Sequence, residues 1–316
     1  MDISIVIVNW NTQQITCDCL RSVYEQTSGL EYEVIVVDNH SSDGSVEAIG
    51  RGFPQVKLVV NTRNRGFAAA NNQGIGVARG RYVLLLNSDT LILDQAIPKT
   101  VRFADQHPEA AVVGCRILNE DRTLQRTCFQ FPSLLNMVLS STYLYKLFPR
   151  NGFFGREEMT WWDHADIREV EVIKGCFMVV RKDAVARVGA LDESYFMYCE
   201  ETDWCYRFQK AGWKCLFFPD AQSIHLDGQS TRRIRPAMEL QKKASILQFM
   251  RKHRGPIQYA IACVLTSLFL SLRAPHRFVL CGENANERAL GKAYLKGACR
   301  AYLGWRGLAC RPPDNR

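Results

Sequence analysis

The run Tyr82-Val83-Leu84-Leu85-Leu86 carries no charged side chain and stops at Asn87-Ser88-Asp89. Five consecutive apolar residues show neither helical periodicity nor alternation, so the run reads as a strand covered on both faces, as in parallel α/β sheets. Ligands of such sheets gather at the carboxyl ends of the strands, where Asp89 stands. An aspartate there also serves as a turn former or helix cap, so the strand tip alone does not decide the chemistry.

Strand-like runs at about 3–9, 33–38, 56–60 and 82–86 alternate with helix-like stretches at about 12–26, 43–50 and 66–79. This alternation predicts right-handed βαβ crossovers and a parallel sheet. Ser42-Asp43-Gly44 is expected to cap the second helix, and Gly66 to let the chain enter the third closely. The spacing of Gly74, Gly76 and Gly80 does not make a GxGxxG loop, and no GxxxxGK occurs, which excludes the two common glycine-rich phosphate loops. From about 118 to 170 the alternation gives way to a mixed region with Pro132, Pro149, Gly152, Gly155 and Trp161-Trp162. It reads either as a lid or acceptor loop or as a surface excursion whose aromatics pack on the sheet.

A second acidic knot, Glu200-Glu201-Thr202-Asp203, follows the aromatic run Tyr195-Phe196-Met197-Tyr198 and precedes Trp204 and Arg207. Adjacent carboxylates repel each other and burial raises their pKa, which makes one of them a candidate general base. Asp203 lies four residues before Arg207, the spacing of a helix-surface ion pair. A third element, Ile224-His225-Leu226-Asp227-Gly228-Gln229-Ser230, puts a histidine in a polar loop, where imidazole suits a divalent metal.

These motifs, in this order, resemble those of the family 2 inverting glycosyltransferases. Ser4-Ile5-Val6-Ile7-Val8-Asn9-Trp10-Asn11 is similar to that family's first strand, and Val34 to Ser45 to its second strand and loop. Asn64-Arg65-Gly66-Phe67 with Asn71-Asn72-Gln73-Gly74 resembles the helix start before the metal motif, and Asn87-Ser88-Asp89 resembles the Asp-x-Asp motif itself. Gly175-Cys176-Phe177-Met178 resembles the acceptor-side strand, and Glu200 to Trp204 the base-bearing segment. The resemblance covers roughly residues 1–235, and the branch it resembles most is the bacterial rhamnosyltransferases of O-antigen and cell-wall polysaccharide assembly.

The resemblance implies an α/β chain of the GT-A nucleotide-diphospho-sugar transferase fold, a Rossmann-like mostly parallel sheet with a C-terminal helical appendage. Residues 1–235 would form the catalytic domain, with nucleotide-sugar binding in 1–117 and the acceptor side and base in 118–235; residues 236–316 would form a basic helical region. It further implies a nucleotide-sugar site of Asn9, Asp38, Asn64, Gly66, Asn72, Asn87, Ser88 and Asp89, with Asp38 accepting the imide proton of uracil or thymine. Gly175, Asp203 and Trp204 would lie on the acceptor side. Asp89, with His225, would hold Mg²⁺ or Mn²⁺ against the diphosphate. Asn87 stands where the first acid of the motif is usual, which removes a charge and points it to the ribose or a metal-bound water. Glu201, at a helix start whose dipole favours a carboxylate, would deprotonate the acceptor hydroxyl for one in-line displacement, with Glu200 as the fallback base. The implied donor is dTDP-rhamnose or a UDP-sugar, and the acceptor a glycan, polysaccharide or polyprenyl-linked saccharide. A nucleotidyltransferase of similar fold and a non-catalytic sugar-nucleotide binding protein are the alternatives. The former would want a Gly-rich basic loop where Asn9-Trp10-Asn11 stands, and an idle protein has no physical reason to keep clustered carboxylates near apolar strands.

Composition agrees with an enzyme: 316 residues at 47% hydrophobic content can bury a full core. The twelve cysteines are scattered and form no CxxC, so they read as reduced thiols of a cytosolic protein. The chain enters its first strand by Ile3 without a basic and apolar leader, so the active site is expected to face the cytoplasm.

Charge changes in the tail. Between 231 and 277 ten basic residues, among them Arg232, Arg233 and Arg273, face the single acid Glu239. The apolar run 257–272 is shorter than the roughly 20 residues of a membrane span. Bracketed by Arg251-Lys252-His253-Arg254 and Arg273, it reads as an interfacial helix on an anionic membrane surface, holding the protein peripherally at the inner face. A core-packing or dimer helix is the alternative; confinement of the charge to the tail argues against nucleic acid.

Overall fold

A computed structural model describes residues 1–228, 235–279 and 285–304. Gln229, Ser230, Arg232 and Arg233 lie outside the described residues. In chain order the elements are β1 (Ile3–Asn9), α1 (Gln13–Glu25), β2 (Tyr32–Asp38), α2 (Ser45–Gly52), β3 (Lys57–Val60), α3 (Phe67–Val77), β4 (Tyr82–Asn87), β5 (Thr90–Ile92), α4 (Ala96–Gln106), β6 (Ala110–Leu118), β7 (Leu124–Gln125) and β8 (Cys128–Phe129). They continue with α5 (Leu134–Thr142), α6 (Leu144–Leu147), β9 (Arg168–Glu169), β10 (Val172–Ile173), β11 (Phe177–Arg181), α7 (Lys182–Val188), α8 (Glu200–Lys210), β12 (Lys214–His225), α9 (Arg235–His253), α10 (Gly255–Val279) and α11 (Ala285–Tyr302).

The main sheet has the order β3-β2-β1-β4-β11-β6-β12-β5, with β7 on β6 and β9 on β12. β3, β2, β1 and β4 are parallel, as the alternation predicts. β11 runs antiparallel between β4 and β6, so the sheet is mixed at its centre. β4 is buried from Tyr82 to Leu86, which is why its sequence shows no alternation. Helix α3 enters through Gly66 at φ +85, where a Cβ would lie 2.6 Å from the Phe196 carbonyl oxygen. Asp43 caps α2 from one residue before Gly44, accepting from the Ser45 amide at 3.1 Å.

The chain forms two compact units: residues 1–131, 162–196 and 200–230 make the first, and 132–161, 197–199 and 231–316 the second. The first holds the sheet. In the second, α9, α10 and α11 bury Leu240, Leu247, Met250, Ala262 and Cys263, and Leu134 and Met137 of α5 pack against this core. The irregular segment thus contributes helix α5 to the C-terminal helices, a packing that has no local sequence signal. Trp162, in the first unit, meets Phe217 edge-on at 4.9 Å, in keeping with aromatics that pack on the sheet. α10 spans 25 residues, longer than the apolar run, because Gly255-Pro256 and Arg273–Val279 continue it. By length and composition Gly255–Phe278 suffices to cross a membrane.

Candidate active site

The ends of β4 and β12 bring Asn87, Asp89 and His225 together. His225 Nε2 is 3.1 Å from Asp89 Oδ1 and 3.1 Å from Asn87 Nδ2. The ring orientation is set from behind: Gln125 of β7 donates to Asn119 Oδ1 and to the His225 carbonyl, which leaves its Oε1 to face His225 Nδ1 at 2.6 Å. Nδ1 therefore carries a hydrogen, and in the neutral ring the Nε2 lone pair points at a carboxylate oxygen. A lone pair against a carboxylate is repulsive unless a cation stands between them. Asn87 Oδ1 is buried without a hydrogen-bond partner among the described residues, a further unmet acceptor at the same place. One carboxylate and one imidazole fit an ion whose other ligands are phosphate and water. Among the described residues no cluster of three or more metal-ligating side chains occurs.

Beneath the strand ends lies a buried polar floor. Asn9 Nδ2 donates to Asp38 Oδ2 at 2.7 Å, while its Oδ1 accepts from Thr12 and Thr16. Asp38 Oδ1 accepts the Ser41 amide at 2.9 Å, a turn-forming bond, and both Asn9 and Asp38 are fully buried. Ser88 Oγ lies 3.3 Å from Thr12 Oγ1. Asn64 Oδ1 accepts from Asn39 Nδ2 and from the Gly66 amide, holding the turn into α3.

The acid pair opens α8. Tyr198 and Cys199 precede it with φ of 68° and 64°, left-handed values that cost non-glycine residues energy and that cluster at functional sites. Glu200 is buried; its burial, then the charge of Glu201 and a hydrogen bond to it, push its carboxyl well above the usual range. The two carboxyls are hydrogen-bonded to each other and so share a proton, which the deeper burial of Glu200 favours there, and Glu201 is left as the candidate proton acceptor.

Segment Lys174-Gly175-Cys176 joins the two clusters. A Cβ on Gly175 would sit 4.0 Å from Glu201 Cβ, so the glycine keeps space beside the base. The Cys176 carbonyl accepts from the Asn87 amide at 3.1 Å and from Thr90 Oγ1 at 3.2 Å. Lys174 Nζ bonds Asp227 Oδ1 at 3.0 Å, and Asp227 lies 3.8 Å from His225 Nδ1. Burial opposes the Lys174 charge, but Cys176, Asp227 and Glu201 outweigh it and raise its pKa. Gln125 and Lys174 escaped the sequence reading because neither stands in an acidic or histidine motif; the adjacency of Lys174 to Gly175 was the available signal.

Three expected site residues sit elsewhere. Asn72 clamps backbone, with Nδ2 on the Leu191 carbonyl and Oδ1 on the Leu191 amide. Asp203 is fully buried and paired with Arg207 at 2.7 Å, and Trp204, equally buried, donates to the Gly189 carbonyl. Asp203 and Trp204 are fully buried and spent on Arg207 and the Gly189 carbonyl, whereas Glu201 is only partly buried.

Residues 4–159 match the model of the glycosyl transferase family 2. The chain carries a family 2 glycosyltransferase domain. It is 29% identical over 235 residues to N-acetylglucosaminyl-diphospho-decaprenol L-rhamnosyltransferase of Mycobacterium tuberculosis, covering 70% of this chain and 76% of that one. Rhamnosyltransferase WbbL of Escherichia coli is 25% identical over 170 residues, 51% of this chain and 60% of that one. Among solved structures, the mannosyltransferase PcManGT of Pyrobaculum calidifontis, in complex with GDP-Man and Mn²⁺, superposes with a TM-score of 0.58 at 15% identity, covering 96% of this chain and 88% of that one. That likeness bears on the fold, which is GT-A. The chain is a glycosyltransferase that resembles rhamnosyltransferases, and the nucleotidyltransferase and binding-protein alternatives are set aside.

Proposed function

We propose that this glycosyltransferase moves rhamnose from dTDP-rhamnose to a hydroxyl of a polyprenyl-linked glycan, inverting the anomeric centre in one displacement. The observation that carries the reading is the Lys174-Gly175-Cys176 segment, which stands beside Glu201 and also bonds the strand ends bearing Asn87 and Asp227. A proton acceptor and a diphosphate-facing carboxylate thereby share one end of the sheet. The names of the mycobacterial and Escherichia coli relatives supply the sugar, and the mycobacterial one the lipid-linked acceptor. A UDP-sugar is the second donor to test.

Asp89 and His225 would hold the divalent ion, Mg²⁺ or Mn²⁺. When bound, the ion supplies positive charge against the departing nucleoside diphosphate. Asn9 and Asp38 form the floor for the nucleobase, and Lys174 adds a fixed ammonium near the diphosphate side. Glu201 takes the proton of the acceptor hydroxyl at its carboxylate, while neutral Glu200 donates to it and keeps the second negative charge out of the site. Gly175 leaves room for the hydroxyl.

The exposed side of α10 supports attachment to an anionic inner membrane surface. Ile257, Ile261, Val264, Leu268 and Leu272 recur every three or four residues and are all exposed, whereas Ala262, Cys263, Thr266, Leu270 and Ala274 on the other side are buried. An apolar stripe on one side of a packed helix suits the lipid boundary.

Turnover of dTDP-rhamnose beside UDP- and GDP-sugars, with a short lipid-linked disaccharide and Mg²⁺ or Mn²⁺, tests the proposal. Release of dTDP with an inverted product in the proton NMR spectrum is expected. A UDP- or GDP-sugar used tenfold better would overturn the donor, and a retained anomer would overturn the role of Glu201.

A further inference from the structure

Arg273 of α10 is clasped by two aromatic rings, its guanidinium carbon 3.8 Å from the Phe269 centroid and 4.2 Å from that of Tyr143. The next arginine on this face, Arg277, pairs with Glu287 at 2.8 Å. Arg273 has no carboxylate within ion-pair distance among the described residues. A second cation, Lys243 of α9, lies 5.6 Å from the same Phe269 ring. Burial, then Lys242, lower its pKa to about 8 against the opposing field of Glu157, which itself makes no ion pair with it. Two partly buried cations around one ring repel each other, and the fields of Glu157 and Glu239 oppose that repulsion without a direct ion pair to either cation.

Beside them is a cavity of about 560 Å³ between α5 and α10, within the size range of small-ligand sites. Its walls include Met137 and Val138 from α5 and Leu265, Leu268 and Leu272 from α10, and Arg273 lines it. Leu268 and Leu272 also belong to the exposed stripe, at 55% and 69% exposure, so the apolar wall continues outward along the helix.

We infer that this cavity is a binding site for the phosphate end of a single-chain isoprenoid phosphate or diphosphate, with Arg273 on the phosphate, Lys243 adding its charge from beside the shared Phe269 ring, and the chain along Leu265, Leu268 and Leu272. A phosphate monoester or diphosphate carries about two negative charges near neutral pH and matches two cations. A phospholipid diester carries one and has two chains. In naming the isoprenoid as the lipid, the assignment rests on the proposed function, in which a polyprenyl carrier bears the acceptor.

Geranylgeranyl diphosphate is the probe, titrated into the full chain by calorimetry, with inorganic pyrophosphate and phosphatidylglycerol vesicles as parallel arms. The wild type is expected to bind the probe, pyrophosphate to bind much more weakly, and Arg273→Ala to lose about tenfold or more in affinity. Leu268→Asp, at a position 55% exposed, is expected to weaken the probe similarly. dTDP affinity should stay unchanged in both variants. No binding by the wild type, equal binding of pyrophosphate, or undiminished probe affinity in Leu268→Asp would overturn the site. Capture by the vesicles with no probe binding would also overturn it and assign the stripe to bulk lipid. Turnover of dTDP-rhamnose on the same preparation reports separately on the proposed function, since probe binding needs no donor.

Discussion

Gln125 Oε1 accepts the Nδ1 hydrogen of His225 at 2.6 Å, and it does so because the Gln125 amide nitrogen is already committed to Asn119 and to the His225 carbonyl. The bond presents the Nε2 lone pair to Asp89. Partners of this kind behind a metal-binding histidine are worth 10- to 100-fold in affinity. Gln125→Leu is therefore expected to weaken Mn²⁺ binding in the presence of dTDP by about tenfold or more, read by electron paramagnetic resonance. An unchanged affinity would separate His225 from the metal.

Glu201→Gln keeps size and hydrogen bonding but removes the proton acceptor. Transfer should fall by roughly 10²- to 10⁴-fold while dTDP-rhamnose affinity stays near wild type, because the donor is held through its base and diphosphate. Single-turnover kinetics and calorimetry on one preparation check both halves. Near-normal kinetics would move the base to Glu200.

The raised pKa of Glu200 has a consequence for stability. A carboxyl whose folded pKa lies above its unfolded value stabilises the fold below the unfolded pKa, near 4.5, and that contribution is lost as pH rises towards the folded value. Glu200→Gln, neutral at every pH, should thus be more stable than wild type at pH 8 and equal to it near pH 4. Thermal melts across this range are the measurement, and a wild type that melts higher at pH 8 would contradict the buried proton.

The parallel half of the sheet was legible because an apolar run with no alternation has few other ways to be buried, and β1 to β4 lie where their runs stand. β11 was not legible as an antiparallel insertion, since Phe177-Met178-Val179-Val180 is apolar in either direction and its neighbours β4 and β6 are chosen by long-range packing. Within the site, Asp89, His225 and Glu201 stood out because ionisable groups beside apolar strands are costly. Asn72 was not legible for the converse reason: an amide can be fully spent on backbone, and one sequence cannot distinguish that from a ligand contact, whereas the four-residue spacing of Asp203 and Arg207 already marked their ion pair. Gly66 was readable in kind, but the reason for it, the Phe196 carbonyl 2.6 Å from where a Cβ would stand, is 130 residues away in the chain.

His164 offers a pH dependence of the opposite sense, remote from the acid pair. Its ring is buried, stacks on Trp162 at 4.0 Å and bonds the Trp162 carbonyl at 3.2 Å. Burial is the main cause that lowers its pKa from 6.5 to about 4, and the charges of Arg126 and Arg116 act in the same direction. The folded state thus keeps the imidazole neutral while the unfolded chain takes up a proton below 6.5. Stability is complete above that value and falls as pH drops towards 4, by at most about 3 kcal/mol for this one group. His164→Asn suits the left-handed backbone at φ 58° and cannot titrate. It should cost stability at all pH through lost stacking, yet flatten the decline between pH 6.5 and 4 by up to one proton's slope. Urea melts of both proteins at several pH values read that slope, and identical slopes would mean that His164 is protonated in the folded chain.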